Sequence, residues 1–448
     1  MKKTVIYIIL SGWMLAGCGT YSRYHRPDLS TENLYRDMPA DIDTMTIASL
    51  SWREMFTDPK LQSLIETGLE RNADLNVARL RVEAAEAVLM TARLSYLPSL
   101  GLTAEGNANK HDGATAKTYN VGASASWELD IFGKLTAAKR GAQGSRAYRQ
   151  AVQTQLVATI ADSYYTLAML DAQMTISNRT LENWRTTVRT LEALKKVGKS
   201  NEAGVLQAKA NVMRLEASLL SIRKSISETE NALSAILAMP SHSIGRSDLA
   251  EAAFPDTVSI GVPLQLLSNR PDVRQAEMEL AQAFYATNAA RAAFYPNITL
   301  SGILGWTNNG GGVIVNPGQW LLNAIGSLTQ PLFNRGVNIA NLKIAKSRQE
   351  EAKLLFRQSL LNAGKEVNDA LTAWQTAKSQ IEINARQVET LCDAVRKTES
   401  LMRHSNTTYL EVLTAKQSLL EAEVQQLQTR FERIQSIIKL YHALGGGM

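Results

Sequence analysis

"AARAAFYPNITLSG", residues 289–302, begins as a run of helix formers, meets Pro296, and then sets Ile298 and Leu300 between Asn297, Thr299 and Ser301. Helix gives way to strand alternation within one turn, because proline cannot donate the next helical hydrogen bond and biases the preceding residue toward extended backbone. At 91–104 the chain reads "TARLSYLPSLGLTA", with Arg93, Pro98, Leu100 and Leu102 standing where Arg291, Pro296, Ile298 and Leu300 stand later. Pro98 and Pro296 therefore mark two helix-to-strand joints. Asp74, Arg93 and Pro98 lie 198 residues before Asp272, Arg291 and Pro296, and "VLQAK" at 205–209 returns 207 residues on as "VLTAK" at 412–416. Such spacing predicts a tandem duplication with about 200 residues in each half.

Each half reads as a helix, a strand pair and two further helices. In "YNVGASASWELD", Tyr119, Val121, Ala123, Ala125, Trp127 and Leu129 face one way, and Asn120, Gly122, Ser124, Ser126, Glu128 and Asp130 the other. The polar stretch "GNANKHDGATAK" before it reads as a loop, and "NITLSGILGW" and "QWLLNAIGSLTQPLF" flank a second loop. Strands of about ten residues cross a bilayer when tilted, yet a soluble half-buried hairpin alternates in the same way. The helices decide between these. Apolar positions step by four and three from Leu156 to Leu191 and from Leu360 to Val395, with returning helices in the same rhythm over Leu215–Ile236 and Leu410–Tyr441. Heptads over such lengths predict left-handed antiparallel pairs, the outgoing helices (137–197 and 337–403) being roughly 90–100 Å long. Four strands cannot close a barrel, and open edges are not tolerated in lipid, so several copies must pool their strands into one barrel and their helices into a tube.

The first residues carry an address. Lys2 and Lys3 precede the apolar run Val5 to Leu10, continued by Trp13, Met14 and Leu15 and followed by Leu15-Ala16-Gly17-Cys18. This resembles a bacterial lipoprotein signal peptide, with Cys18 as the acylated first residue of the mature chain. Gly19, where retained lipoproteins carry Asp, implies outer-membrane sorting. Cys392 is then the only remaining thiol, so no intramolecular disulfide is expected. The net charge of +6 is scattered over 48 basic and 42 acidic residues with no basic block, which argues against a nucleic-acid partner.

"SWREMFTDPKLQSLI" at 51–65, "NADL" at 72–75, "SWELDIFGK" at 126–134, "LSNRPDVRQAE" at 267–277, "QPLFNRG" at 330–336 and "YLEVLTAK" at 409–416 occur in an order and spacing that resemble the TolC-like outer-membrane factor family. Within that family of outer membrane efflux proteins, the resemblance is to the OprM/NodT-type lipoprotein branch. It implies an α+β membrane protein, a homotrimer of 12 strands continuous with a coiled-coil periplasmic barrel, sited in the outer membrane with most of the chain in the periplasm. It also implies a periplasmic adaptor (membrane fusion protein), an inner-membrane pump of the resistance-nodulation-division (RND) type, and drug efflux. Metal-ion efflux and type I secretion remain open, and apart from the lipid no cofactor is implied. The implied segments are 1–17 as signal peptide, 18–56 as lipidated tail and equatorial segment, and 57–250 and 251–448 as the two repeats. Their hairpins lie near 98–131 and 296–333, and their tip turns near 197–204 and 404–409.

In the family the tip turns meet the adaptor, which places Val197, Gly198, Ser200, Asn406 and Thr407 as contact candidates. "YLEVLTAK" aligns with the constricting segment: Leu410 is the expected apolar constriction and Glu411 a pH-sensitive or cation-attracting ring, while Thr414 replaces a second carboxylate found in many members. An equally simple reading makes Glu411 a surface charge bonded to a neighbouring helix. Glu128 and Asp130 fall on the polar parity and are expected to face the lumen, where ordinary solvation explains them as well. "RPDVRQAE" reads as a helix start, with Pro271 in the first turn and Asp272 near the positive end of the dipole.

Two other classes compete with a duct. The five histidines, at 25, 111, 242, 404 and 442, lie far apart, and no metalloprotease, Walker or nucleophile-elbow motif is present, so nothing recommends an enzyme. A lipid-tethered coiled-coil scaffold that never spans the membrane accounts for the helices but leaves the strand pairs and their polar parity without a purpose.

Overall fold

The computed structural model describes residues 21–27, 34, 47–111, 114–130, 133–141, 146–198, 200–254, 270–307, 319–330, 334–404 and 409–447. The lipidation candidate Cys18 and the turn candidates Asn406 and Thr407 lie outside them.

Ser51 opens α1 (Trp52–Met55) with a reciprocal cap, its hydroxyl accepting from Glu54 N at 3.3 Å while the Glu54 carboxylate accepts from Ser51 N at 2.8 Å. Asp58 caps α2 (Pro59–Arg71), with Pro59 at the first position, where its missing N–H costs nothing. Then come α3 (Ala73–Leu94), β1 (Ser99–His111), β2 (Ala114–Leu129), α4 (Lys134–Gly141) and α5 (Arg146–Lys196). The chain continues through α6 (Glu202–Ile236), α7 (Pro271–Ala292), β3 (Asn297–Thr307), β4 (Gln319–Thr329), α8 (Val337–His404) and α9 (Tyr409–Ala443). α8 falls where the heptads predict it, with 68 residues, whereas the first outgoing helix, expected over 137–197, begins at Arg146 as the 51-residue α5, with the separate α4 ahead of it. Among the described residues, no helix is long and apolar enough to cross a membrane.

The four strands form one antiparallel sheet in the order β1-β2-β3-β4, so among the described residues β1 and β4 each pair on one side only. Its first hairpin corrects the expectation of ten-residue strands around a polar loop. β1 and β2 are 13 and 16 residues long and stay paired to His111↔Ala114, through residues read as loop. Asn, Thr and Ala hide the alternation there, while the backbone ladder needs no apolar side chain to continue.

Register puts like with like across the sheet. Leu100↔Ala125, Leu102↔Ala123, Val121↔Trp306, Trp127↔Leu300 and Leu304↔Leu322 share one face, and Ser126↔Ser301, Glu128↔Thr299 and Thr299↔Ser327 the other. Ile303 and Ile325 are apolar exceptions on the polar side. The apolar face is uncovered in the single chain: Leu100 is 82% and Leu102 91% exposed. An uncovered apolar sheet of this extent demands a nonaqueous neighbour.

The two sequence halves are not the compact units. One unit draws on Leu80–Ala147 and Gln275–Ser359, the other on Ser30–Arg79, Tyr148–Arg274 and Leu360–Met448, so each mixes both halves. The reason lies in the pairing: β2 of the first half bonds β3 of the second. In the helical unit, Trp184, Leu191, Val205, Ala208, Leu215 and Leu219 of α5 and α6 form a core with Leu413 of α9.

Gly122 and Gly305 are direct partners across β2 and β3. A Cβ on Gly122 would meet Leu304 O at 2.8 Å, and one on Gly305 would collide with the Val121 carbonyl and lie 2.5 Å from Gly122 Cα. Both obstacles are backbone and cannot rotate away. Gly305→Ala is expected to destabilise the sheet by about 3 kcal/mol, seen as a lower melting temperature of the strand signal in circular dichroism. Gly326→Ala, whose Cβ would first meet Leu300 Cδ2 at 3.6 Å, is the control expected to melt as the parent does.

Candidate functional site

The α5–α6 hairpin turns through Val197 and Gly198. Val197 is exposed, and Gly198 adopts φ +73°, a left-handed conformation that glycine reaches without strain, while donating to Lys195 O at 3.0 Å. Ser200 is half-buried, and the Asn201 side chain then caps α6 by accepting from Gly204 N at 3.0 Å. Lys195 pairs with Glu202 across the turn, and one step further in Lys209 pairs with Glu192 at 2.7 Å.

At the start of α9 the motif "YLEVLTAK" splits by helical phase. Val412 and Leu413 are buried, whereas Leu410, Glu411 and Thr414 share the exposed side of the first turns. Thr414 donates to Leu410 O at 2.9 Å, and Glu411 sits where the positive end of the helix dipole favours a carboxylate. Structure thus brings the three gate candidates together on one exposed surface.

Lys416, two residues beyond Thr414, escaped the sequence reading. Its ammonium donates to Thr187 Oγ1 at 3.1 Å and pairs with Glu399 at 2.7 Å, tying α9 to α5 and α8. Tyr409 lies beside it, its phenol pushed up by burial despite a bond with Thr187. Together with Arg179, Trp184 and Glu423 these residues line a cleft of about 480 Å³. A signal was present: Lys209 and Lys416 close "VLQAK" and "VLTAK", and each pairs with a glutamate 17 residues upstream, Glu192 and Glu399.

Glu128 and Asp130 have local partners at the end of β2. Glu128 pairs with Lys134 at 2.8 Å. Asp130 lies one residue past the strand, and its carboxylate accepts from Leu135 N and Thr136 N, both at 2.9 Å, and from Thr136 Oγ1 at 2.6 Å. It caps α4, a role that parity did not disclose. Tyr96 OH bonds the same Thr136 hydroxyl at 2.8 Å, and Trp127 Nε1 donates to Tyr96 O at 2.9 Å. Those bonds fasten the residues before Pro98 to the returning strand. Both proline joints unwind alike: Leu97 N bonds Leu94 O at 2.8 Å before Pro98, and Tyr295 N bonds Ala292 O at 3.0 Å before Pro296.

In "NRPDVRQAE", Arg270 is buried. It makes a bidentate contact with Asp272 at 2.9 and 2.6 Å and donates to Glu366 at 2.7 Å and to Ala443 O at 2.9 Å, joining the start of α7 to α8 and the end of α9. Burial, reinforced by Arg270, holds the nearby His442 imidazole below its usual value, so it stays neutral beside the guanidinium. The motif's role is structural, and no group of His, Cys, Asp and Glu among the described residues is arranged to hold a metal ion.

Residues 64–239 and 262–446 match the family described as outer membrane efflux protein. Among individual proteins, the cation efflux system protein CusC of Escherichia coli (strain CFT073) is 30% identical over 447 residues, 97% of this chain and 96% of CusC. The probable efflux pump outer membrane protein TtgC of Pseudomonas putida (strain KT2440) is 28% identical, covering 100% of this chain and 96% of TtgC. A solved structure of the outer-membrane channel OprN superposes with a TM-score of 0.86 at 26% identity, covering 95% of this chain and 99% of OprN.

Removing the Lys416 ammonium takes away a charge-assisted hydrogen bond and an ion pair, together about 1–2 kcal/mol. Lys416→Met is expected to speed amide hydrogen exchange over 409–416 roughly tenfold while leaving the sheet amides unchanged.

Proposed function

Since this chain belongs to the outer membrane efflux protein family, we propose that three copies pool their sheets into one 12-stranded barrel and their helices into a periplasmic tunnel. The assembly is a passive exit duct of the outer membrane: it conducts substrates without covalent change, so no catalytic residue is required. One observation carries the reading. The sheet exposes an apolar face and leaves β1 and β4 open, and in lipid both demands are met together only by closure with further strands. The likeness to OprN supports it.

A duct of this kind receives its cargo from an inner-membrane pump through an adaptor, which we place at the two hairpin ends. Val197, Gly198 and Ser200 supply one set of contacts, and Asn406 and Thr407, outside the described residues, are the contact candidates of the other. Leu410 and Glu411, exposed at the start of α9, supply the constriction and its charge, with Thr414 beside them. The lipid on Cys18 holds the N-terminus at the membrane, and gene duplication accounts for the two stretches matched by the family and for the equivalent pairs Lys209–Glu192 and Lys416–Glu399. Drug efflux by an RND-type pump is the cargo reading. Cation efflux is the second, favoured by the likeness to CusC.

Reconstituted in planar bilayers, the purified protein is expected to run as a trimer and to conduct ions. A monomer without conductance would return the chain to the scaffold reading. Glu411→Gln is expected to form the same trimer with weaker cation preference, and identical ion preference in the two proteins would remove Glu411 from the constriction. Resistance profiles of a deletion strain, restored for drugs and not for metal cations, separate the two cargoes.

A further inference from the structure

The outward face of the sheet is apolar over most of its height and cationic at one end. Starting from the joint, β2 presents Trp127, Val121 and Tyr119 on that face, and β3 presents Leu300, Leu304 and Trp306. Among the described strand residues the charged side chains on this face are Lys117 and Lys110, and both are exposed. Unbroken register fixes their side: Lys117 pairs with Ala108 and Lys110 with Thr115, in step with Leu102↔Ala123 below them. Glu105 and Glu128 pair with Asn120 and Thr299 on the opposite face, so no strand carboxylate offsets the two ammonium groups on their own.

Height puts these lysines at headgroup level. Trp127 and Tyr119 stand eight residues apart on β2, which at about 3.4 Å per residue and a tilt of about 40° is a rise of roughly 20 Å, close to the apolar band of about 25 Å that aromatic residues flank in membrane barrels. Lys117 lies two residues farther and the Lys110 rung two farther again, each step adding roughly 5 Å. The described pairing of β3 with β2 ends at Asn120↔Thr307, so both lysines ride on the part of the first hairpin that outruns it. That end points away from the helices, and so away from the periplasm. Lysines serving only to solvate a hairpin or blunt an edge strand need share neither a face nor an end. A compact ammonium just beyond the aromatic level meets lipid phosphate, which lysine binds as a point charge.

We propose that Lys110 and Lys117 form a docking surface for the phosphates of the glycolipid in the outer leaflet. Pooling of copies repeats the pair around the rim, where bound lipid fixes the depth at which the barrel sits. This rests on the reading of the chain as a duct whose strands span the outer membrane.

The test measures binding of two probes to the full-length protein in a neutral detergent, diphosphorylated lipid A and the same lipid with both phosphates removed, read by native mass spectrometry. The parent is expected to bind the phosphorylated probe roughly tenfold more tightly. Lys110→Gln with Lys117→Gln should lose that difference, and Lys110→Arg with Lys117→Arg should keep it. Conductance and ion preference of the glutamine variant are expected to match the parent, because both side chains face away from the lumen. Equal binding of the two probes by the parent, a comparison that needs no variant to fold, would overturn the inference. So would a glutamine variant that keeps the difference or alters ion preference. A parent that conducts without distinguishing the probes refutes this inference alone, whereas a parent without conductance refutes the duct reading and the inference with it.

Discussion

A sheet that shows lipid an apolar face cannot also show it bare peptide groups. That constraint governs this chain. Within the bilayer an unpaired N–H or C=O has no water to turn to, so the open sides of β1 and β4 set the demand for more strands than one chain owns. Under the proposed pooling of copies the helices meet the same demand, because a shared barrel needs a shared support. The buried seams of α5, α6, α8 and α9 are long enough to provide one. Even the local devices serve the boundary. Asp130 caps α4 just where β2 ends, and Tyr96, Trp127 and Thr136 fasten the residues before Pro98 to the returning strand.

Much of this was legible in residue patterns. Heptads located α8 within a few residues and the far end of α5, though not its start at Arg146, and Pro98 and Pro296 located the joints, because proline and apolar periodicity act through the backbone of their own segment. The length of the first hairpin was not legible. Its outer rungs are Asn, Ala, Lys and Thr, and their pairing rests on a backbone ladder that has no side-chain signature. Nor was the role of Asp130, since parity along a strand says nothing about where the strand stops.

The helical end shows the same division. "YLEVLTAK" forms the first turns of α9, and the burial of Val412 and Leu413 fixes which of its residues face outward. Lys416 was passed over because an ion pair between distant helices needs the fold to bring its partners together. Even so, the repeated lysine of "VLQAK" and "VLTAK", each matched to a glutamate 17 residues upstream, was visible as text before it was visible as geometry.

Those two ion pairs are alike in position and unlike in surroundings. Lys209 and Glu192 are 45% and 43% exposed, whereas Lys416 and Glu399 are 18% and 36% exposed, with the ammonium sheltered between helices and also bonded to Thr187. Dissolved ions screen the first far more than the second. Ionic strength therefore distinguishes the two hairpins: added salt weakens the first pair more than the second, so two similar lysine–glutamate pairs yield one compliant hairpin and one stiff one.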